Sequence, residues 1–306
     1  MGDMSGLLTG LETGVRQRIG AALFERVAGP DGMANRARIH QTPGPRWFSP
    51  QRPIRRVHAD ASMFVGGLRA LLLQSLHPLA MAAVADHSGF RSDPWGRLQR
   101  TSTFLATTTF GTVHDAERAV AKVRGIHRRV KGVAPDGRAY HATDPELLAW
   151  VHIAEVDSFL TCHQRFGAEP LDAAGCDGYV ADAAEIAVRL GVVDPPRTTA
   201  ELARQLERYR PQLASTPESR AAARFLLFNP PLPLVARGPY AVLAATAVST
   251  LPTWARWPLR LPRLPMAEAT AVRLSGHALV RTIRWALPPP PTALEHAGPV
   301  PSPAER

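Results

Sequence analysis

The stretch Val113–Lys131, VHDAERAVAKVRGIHRRVK, decides how the chain is read. Val113, Ala116, Val120, Val123, His127 and Val130 recur at spacings of three and four. They draw one apolar stripe along a helix, while Lys122, Arg124, Arg128, Arg129 and Lys131 fall mostly off it. From about 61 to 228 the text is helical almost throughout, with repeated start signals. Asp93-Pro94 sets an N-cap before proline at the first helical position. Thr143-Asp144-Pro145-Glu146 and Thr198-Thr199-Ala200-Glu201 fit the capping box, and Thr216-Pro217 opens another helix. Strand alternation is absent over any useful length. Asn229-Pro230-Pro231-Leu232-Pro233 breaks the chain, and two or three more helices follow to about Ala286. The expected fold is an all-α, single-domain helical bundle over residues 61–286.

Outside that bundle, residues 1–29 read as an amphipathic helix, with Leu8, Leu11, Val15, Ile19 and Leu23 on one face. Residues 29–60, rich in Gly, Pro and Arg, read as an extended arm. These two pieces form an N-terminal region, 1–60, and 287–306 reads as a Pro-rich disordered tail.

Composition narrows the class. Of 306 residues, 45% are hydrophobic and 20% charged, which excludes a wholly disordered, collagenous or disulfide-stapled chain. Aromatics make up 7%, so the core is built mostly from Ala, Leu and Val. Cys162 and Cys176 form no CxxC pair, which suits a reducing, cytoplasmic setting. The net charge of +10 permits an anionic partner. Scattered arginines, with no basic tail, RNP-like aromatic motif or Cys/His finger spacing, argue against nucleic acid. Met63 to Ala85 is the longest apolar run, and Arg69, Gln74, His77 and Pro78 interrupt it, so a buried helix is expected there and not a membrane span.

Several residues carry possible chemistry. His127 lies on the apolar stripe, either as a core histidine bonded to a carbonyl or as a neutral imidazole ligand to a metal or haem iron; spacing does not choose. Arg97, Arg100 and Thr101, at i, i+3 and i+4, share a helix face able to hold a carboxylate, a propionate or dioxygen, against the plainer reading of a solvated or salt-bridged face. His77, Asp86, His87 and Ser88 suggest a hydrolytic triad, but no G-x-S-x-G elbow surrounds Ser88, and Asp86 is expected to cap. His152 and Glu155 give a reversed, incomplete di-iron pattern. Cys162-His163 lacks metal-ligand partners at useful spacing.

Taken in order, a set of phrases resembles one family: Arg69-Ala70-Leu71-Leu72-Leu73-Gln74, His77-Pro78, Asp86-His87-Ser88, Asp93-Pro94, Arg97-x-x-Arg100-Thr101 and Phe110-Gly111-Thr112. Ile126-His127-x-x-Val130-x-Gly132, Tyr140-x-Ala142-x-Asp144-Pro145-Glu146, Trp150-Val151-His152 and Leu251-Pro252-Thr253-Trp254 follow. The series is similar to the catalytic domain shared by latex-clearing rubber oxygenases and MpaB-type oxygenases. The resemblance implies an all-helical fold enclosing one haem b, with His127 as the proximal iron ligand and Arg97, Arg100 and Thr101 on the distal side. Rubber-cleaving members have lysine where Arg100 stands, and arginine does not deprotonate to ligate iron. They also carry a glutamate on the preceding helix, whereas Leu68–Ala85 has no carboxylate and Asp86 is the first.

The leading expectation is a haem-dependent oxygenase using dioxygen on an apolar, isoprenoid or lipid-like substrate. The alternative is a haem-binding carrier or sensor without turnover. A third reading is a cofactor-free helical protein bound to membrane through its apolar C-terminal helices and scattered arginines. For the oxygenase, Tyr240–Leu264, with Trp254, Arg256, Trp257, Arg260 and Arg263, suits a lipid headgroup boundary from which substrate is delivered, peripheral to the inner face of a membrane, or else closes the core.

Overall fold

The computed structural model describes residues 2–287 except 88, 90 and 91, with side chains from residue 13 onward. The tail expected at 287–306 therefore lies, from 288, outside the described residues. In chain order the helices are α1 (Gly2–Ala28), α2 (Gly32–Gln41), α3 (Pro53–Ala59), α4 (Met63–Gln74), α5 (Pro78–His87), α6 (Pro94–Phe110) and α7 (Val113–His127). After a hairpin, β1 (Lys131–Val133) and β2 (Ala139–His141), come α8 (Pro145–Phe166), α9 (Ala173–Leu190), α10 (Thr199–Tyr209), α11 (Pro217–Phe228) and α12 (Leu234–Thr250). Single turns α13 (Thr253–Arg256) and α14 (Pro265–Ala267) precede a π-helical turn and α15 (Arg273–Ala286). The fold is all-α, as the helical periodicity implies.

The middle of the core is α8. Asp144 caps it by accepting from the Glu146 N–H at 2.9 Å, with Pro145 at the first helical position. Thr143 is not the cap, and the Glu146 carboxylate bonds Tyr209 and Arg208 instead. At Thr198 the hydroxyl accepts from the Glu201 N–H at 3.2 Å, but Glu201 bonds the Arg197 N–H and the box stays incomplete; at Thr216, read only as a helix start, a full box forms with Ser219. Helix α8 is buried on most of its circumference, through Trp150, Ile153, Ala154, Phe159, Cys162 and Phe166. Burying Ile153, Phe159 or Phe166 contributes about 1.5–3 kcal/mol each.

Helix α4 lies against α8 so closely that a Cβ on Gly66 would meet Phe159 Cδ1 at 2.7 Å. Arg69, 3% exposed, ties three helices together. It donates to Ser158 Oγ at 2.6 Å and to the Thr250 carbonyl at 3.1 Å, and pairs with Asp157 at 2.8 Å. Cys162 sits at the same junction, its Sγ 3.9 Å from Thr250 Oγ1, and burial pushes its thiol up to about 11. Cys176, on α9, is half-buried, and both cysteines are free.

Three expectations are corrected. Residues 29–60 are not an extended arm: α2 and α3 form there, and Ile39, Phe48, Ile54 and Val57 are buried. The start of α3 is held from afar by buried Asp182 on α9, which accepts from Arg52 and from the Ile54 N–H at 3.2 Å. The stripe assigned to residues 1–29 does not face the core through Val15 and Ile19, which are exposed; Leu23 packs inward, while Leu8 and Leu11 lie outside the described side chains. A two-stranded antiparallel hairpin also appears, pairing Lys131 with His141 and Gly132 with Tyr140. Three-residue strands are too short to write an alternation, and Gly137 supplies the positive φ of 85° in the turn. No single described helix is long and apolar enough to cross a membrane; α4 and α5 pass that test only as a pair bent by 108°.

Candidate active site

Helices α6 and α7 join through Gly111-Thr112. Asp93 caps α6 by accepting from the Gly96 N–H at 2.9 Å, and Thr112 caps α7 by accepting from the Asp115 N–H at 3.2 Å. Helix α6 is rich in threonine yet enters the core, because its hydroxyls bond its own backbone: Thr107 to the Thr103 carbonyl at 2.7 Å and Thr108 to Phe104 at 2.9 Å. The start of α6 and the end of α7 lie at the ends remote from the link.

At the start of α6 the three predicted residues part company. Arg97 is half-buried; burial, then the neighbouring Arg100 charge, lowers its pKa. Arg100 is exposed and donates to Asp93 at 3.0 Å. Thr101 is exposed too, its hydroxyl spent on the Arg97 carbonyl at 3.0 Å. Spacing correctly sets them on adjacent positions, but only Arg97 reaches inward.

On α7, Ala116 and Val120 are buried, Val123 and His127 half-buried, and the flanking cations exposed, as the stripe requires. His127 is the last residue of the helix. Its Nδ1 is buried and has no hydrogen-bond partner, so the carbonyl-bonded core histidine does not describe it. Burial lowers its pKa and keeps it neutral at pH 7, the state in which imidazole binds a metal.

A polar cluster lies in the interior between α3, α6, α8 and α9. His58 Nδ1 is 2.8 Å from Thr109 Oγ1, and its Nε2 is 3.3 Å from Tyr179 Oη. Burial, then the His163 charge, pushes His58 down to about 3. Burial, then Glu155, raises Tyr179 well above the usual phenol value. On α8, His152 and Glu155 share a face at i, i+3. Burial takes His152 down to about 4, and its Nε2 is buried without a partner. Burial pushes Glu155 up to about 7, and no hydrogen bond or ion pair to it is found among the described residues. Both are half-buried, and Glu155 acts on Tyr179, so His58, Tyr179, His152 and Glu155 make one polar recess in the helical interior. His163, three turns further along α8, also has a buried Nδ1 without a partner, though its ring bonds Gln164.

The end of α7 reaches this region: Arg124, one turn before His127, donates to the Arg189 carbonyl at 3.4 Å in the last turn of α9. A Cβ on the following Gly191 would touch Leu148, one turn before His152. Among the described residues no group of three or more His, Cys, Asp or Glu can hold a bare metal ion, so the His152–Glu155 pattern gains no completing ligands. A haem iron asks for one protein imidazole against an apolar wall, and His127 fits that demand.

The family described as ER-bound oxygenase mpaB/B'/Rubber oxygenase, catalytic domain, matches residues 55–285. The chain belongs to this family. No curated protein and no solved structure matches it. The matched range of this oxygenase domain begins within α3 and contains every residue of the recess. Glu155 and Tyr179 went unassigned in the sequence, where only the spacing of Glu155 from His152 marked it. The hydrolytic reading of Asp86 and His87 gains nothing: Asp86 accepts from Tyr140 Oη at 2.5 Å, where a helix cap was expected, and His87 Nε2 lies 3.2 Å from the Lys131 carbonyl.

Proposed function

We propose that this family member is a haem-dependent oxygenase, holding haem b through His127 and acting with dioxygen on an apolar, isoprenoid or lipid-like substrate. The observation that carries the reading is His127 itself, a neutral imidazole on an apolar stripe with its Nδ1 buried and unpartnered. Bound haem would supply oxygen activation. The chain's own residues account for the rest. Arg97 offers a permanently charged guanidinium to a propionate or another anion. Arg100 and Thr101, expected on the distal side, would join it there only by leaving Asp93 and the Arg97 carbonyl. Glu155, with its pKa pushed to about 7, holds or releases a proton at neutral pH, near Tyr179 and one turn from His152. The chain's Ala-, Leu- and Val-rich helices would exclude water and suit a hydrocarbon chain.

The test is an absorption spectrum after expression with haem supplied. His127→Ala should abolish the Soret band while the helical far-UV spectrum persists. A variant retaining full haem and an unchanged spectrum removes the assignment. The carboxylate-free run Leu68–Ala85 favours a second reading, a carrier or sensor without turnover. Oxygen consumption with prenyl and fatty olefins separates the two.

A further inference from the structure

Three guanidiniums, Arg220, Arg224 and Arg260, line an open cleft of about 340 Å³ between α11 and the segment after α13, with Leu259 and Leu261 among its apolar walls. Arg220 is held by Ser215 Oγ at 2.6 Å, whereas Arg224 and Arg260 are exposed, and no carboxylate lines the cleft. The imbalance is regional. Across residues 219–294 the only acidic residue is Glu268. Its carboxylate accepts from Arg256 at 2.8 Å and from the Leu264 N–H at 2.9 Å, which leaves none for Arg237, Arg260, Arg263 or Arg273.

Large apolar side chains accompany this charge. Phe228, on the cleft wall, is 71% exposed; Trp257, whose carbonyl accepts from the Arg260 N–H at 3.0 Å, is 86% exposed. Leu264 and Met266 follow in the chain at 60% and 86%. Exposed apolar residues are ordinary when scattered, but Phe228 lines the cationic cleft, Trp257 is bonded to its Arg260, and Leu264 and Met266 lie within six residues of Arg260 in the chain. The segment expected to meet a membrane is thereby redrawn. Arg256 is buried on Glu268 and Trp254 is half-buried beneath Arg210, so neither is available, while the cleft of α11 joins.

We propose that this face docks on an anionic lipid surface, with the cleft arginines taking phosphate headgroups while Phe228, Trp257, Leu264 and Met266 enter the acyl boundary. A soluble anion would use the guanidiniums and leave the apolar side chains in water. Anionic lipid satisfies both halves of the patch at once. This inference is independent of the haem assignment.

Co-sedimentation of the 306-residue chain with phosphatidylcholine vesicles, with and without phosphatidylglycerol, tests it at low and high salt. Binding is expected only to the phosphatidylglycerol vesicles and should fall with salt. The double variant Arg224→Gln/Arg260→Gln should bind about tenfold or more weakly. Trp257→Ala should weaken binding while keeping its salt dependence, and the charge-matched control Arg118→Gln/Arg204→Gln should bind as the wild type does. No binding at low salt overturns the proposal, as does a cleft variant that binds like the control. A cleft that takes inorganic phosphate in calorimetry while the protein ignores vesicles is a soluble-anion site, and the docking surface falls.

Discussion

The Arg69 junction and the recess around Glu155 both carry polar groups into the interior, and they treat them oppositely. At the junction a guanidinium almost without exposure finds a hydroxyl, a carbonyl and a carboxylate from α8 and α12. In the recess His152 Nε2 and the Glu155 carboxyl find nothing, and at the end of α7 neither does His127 Nδ1. Buried polar groups are normally satisfied, so the first arrangement is what holding a fold together requires. Unpartnered groups cost stability, and under the proposed function a bound ligand would offset that cost at His127.

Breaking the junction should produce the largest loss. Arg69→Leu strands Asp157 and should cost about 3 kcal/mol, near the lower bound for a broken buried pair because Asp157 keeps some exposure. Differential scanning calorimetry should then record a melting temperature lower by about 6–12 °C. Under the proposed haem assignment, haem content per folded molecule should stay unchanged, and loss of haem before loss of fold would mean that the two regions are not separable.

Removing charge from the recess should act in the other direction. The folded protein holds the Glu155 proton to about pH 7, whereas the unfolded chain releases it near 4.5. Glu155 therefore costs nothing below pH 4.5, and its penalty grows as pH rises to about 7 and is then constant. Glu155→Gln should match the wild type at pH 4 and exceed it at pH 8 by on the order of 3 kcal/mol in urea unfolding. A difference independent of pH would show that Glu155 has a partner. His58 and His152 carry the opposite sign: with folded values near 3 and 4, they withdraw stability as pH falls below the usual imidazole range. Comparing variant with wild type at each pH isolates the carboxyl.

The smallest effects should come from the exposed part of α6. Arg100→Gln and Thr101→Ala should leave the melting temperature within error, since one group serves a surface pair and the other its own helix. Under the proposed haem assignment, Arg97→Gln should instead shift the haem absorption or loosen haem retention. If Arg100→Gln does so equally, the start of α6 rearranges around the ligand and the division between inward and outward residues must be redrawn.

What the residues disclose in advance follows from the range of the interactions involved. The stripe of α7 and the cap of α6 are local, and both read directly from spacing. Helix α3 is hidden because its first N–H is met by Asp182, 128 positions away in sequence. The depth of Arg97 against Arg100 is hidden because helical spacing gives direction and not distance from solvent. Glu155 is the least legible, since its raised pKa depends on partners that the folded core fails to provide.

The two cysteines offer a measurement without engineering. Cys176 is partly accessible on α9, while Cys162 is sealed at the Arg69 junction with a thiol near 11. A maleimide reagent at neutral pH should therefore label one position quickly. Modification of the second then waits for the helices around it to separate. The ratio of slow to fast labelling becomes a stopwatch for that opening, recording how often the junction comes apart under conditions where the protein is overwhelmingly folded.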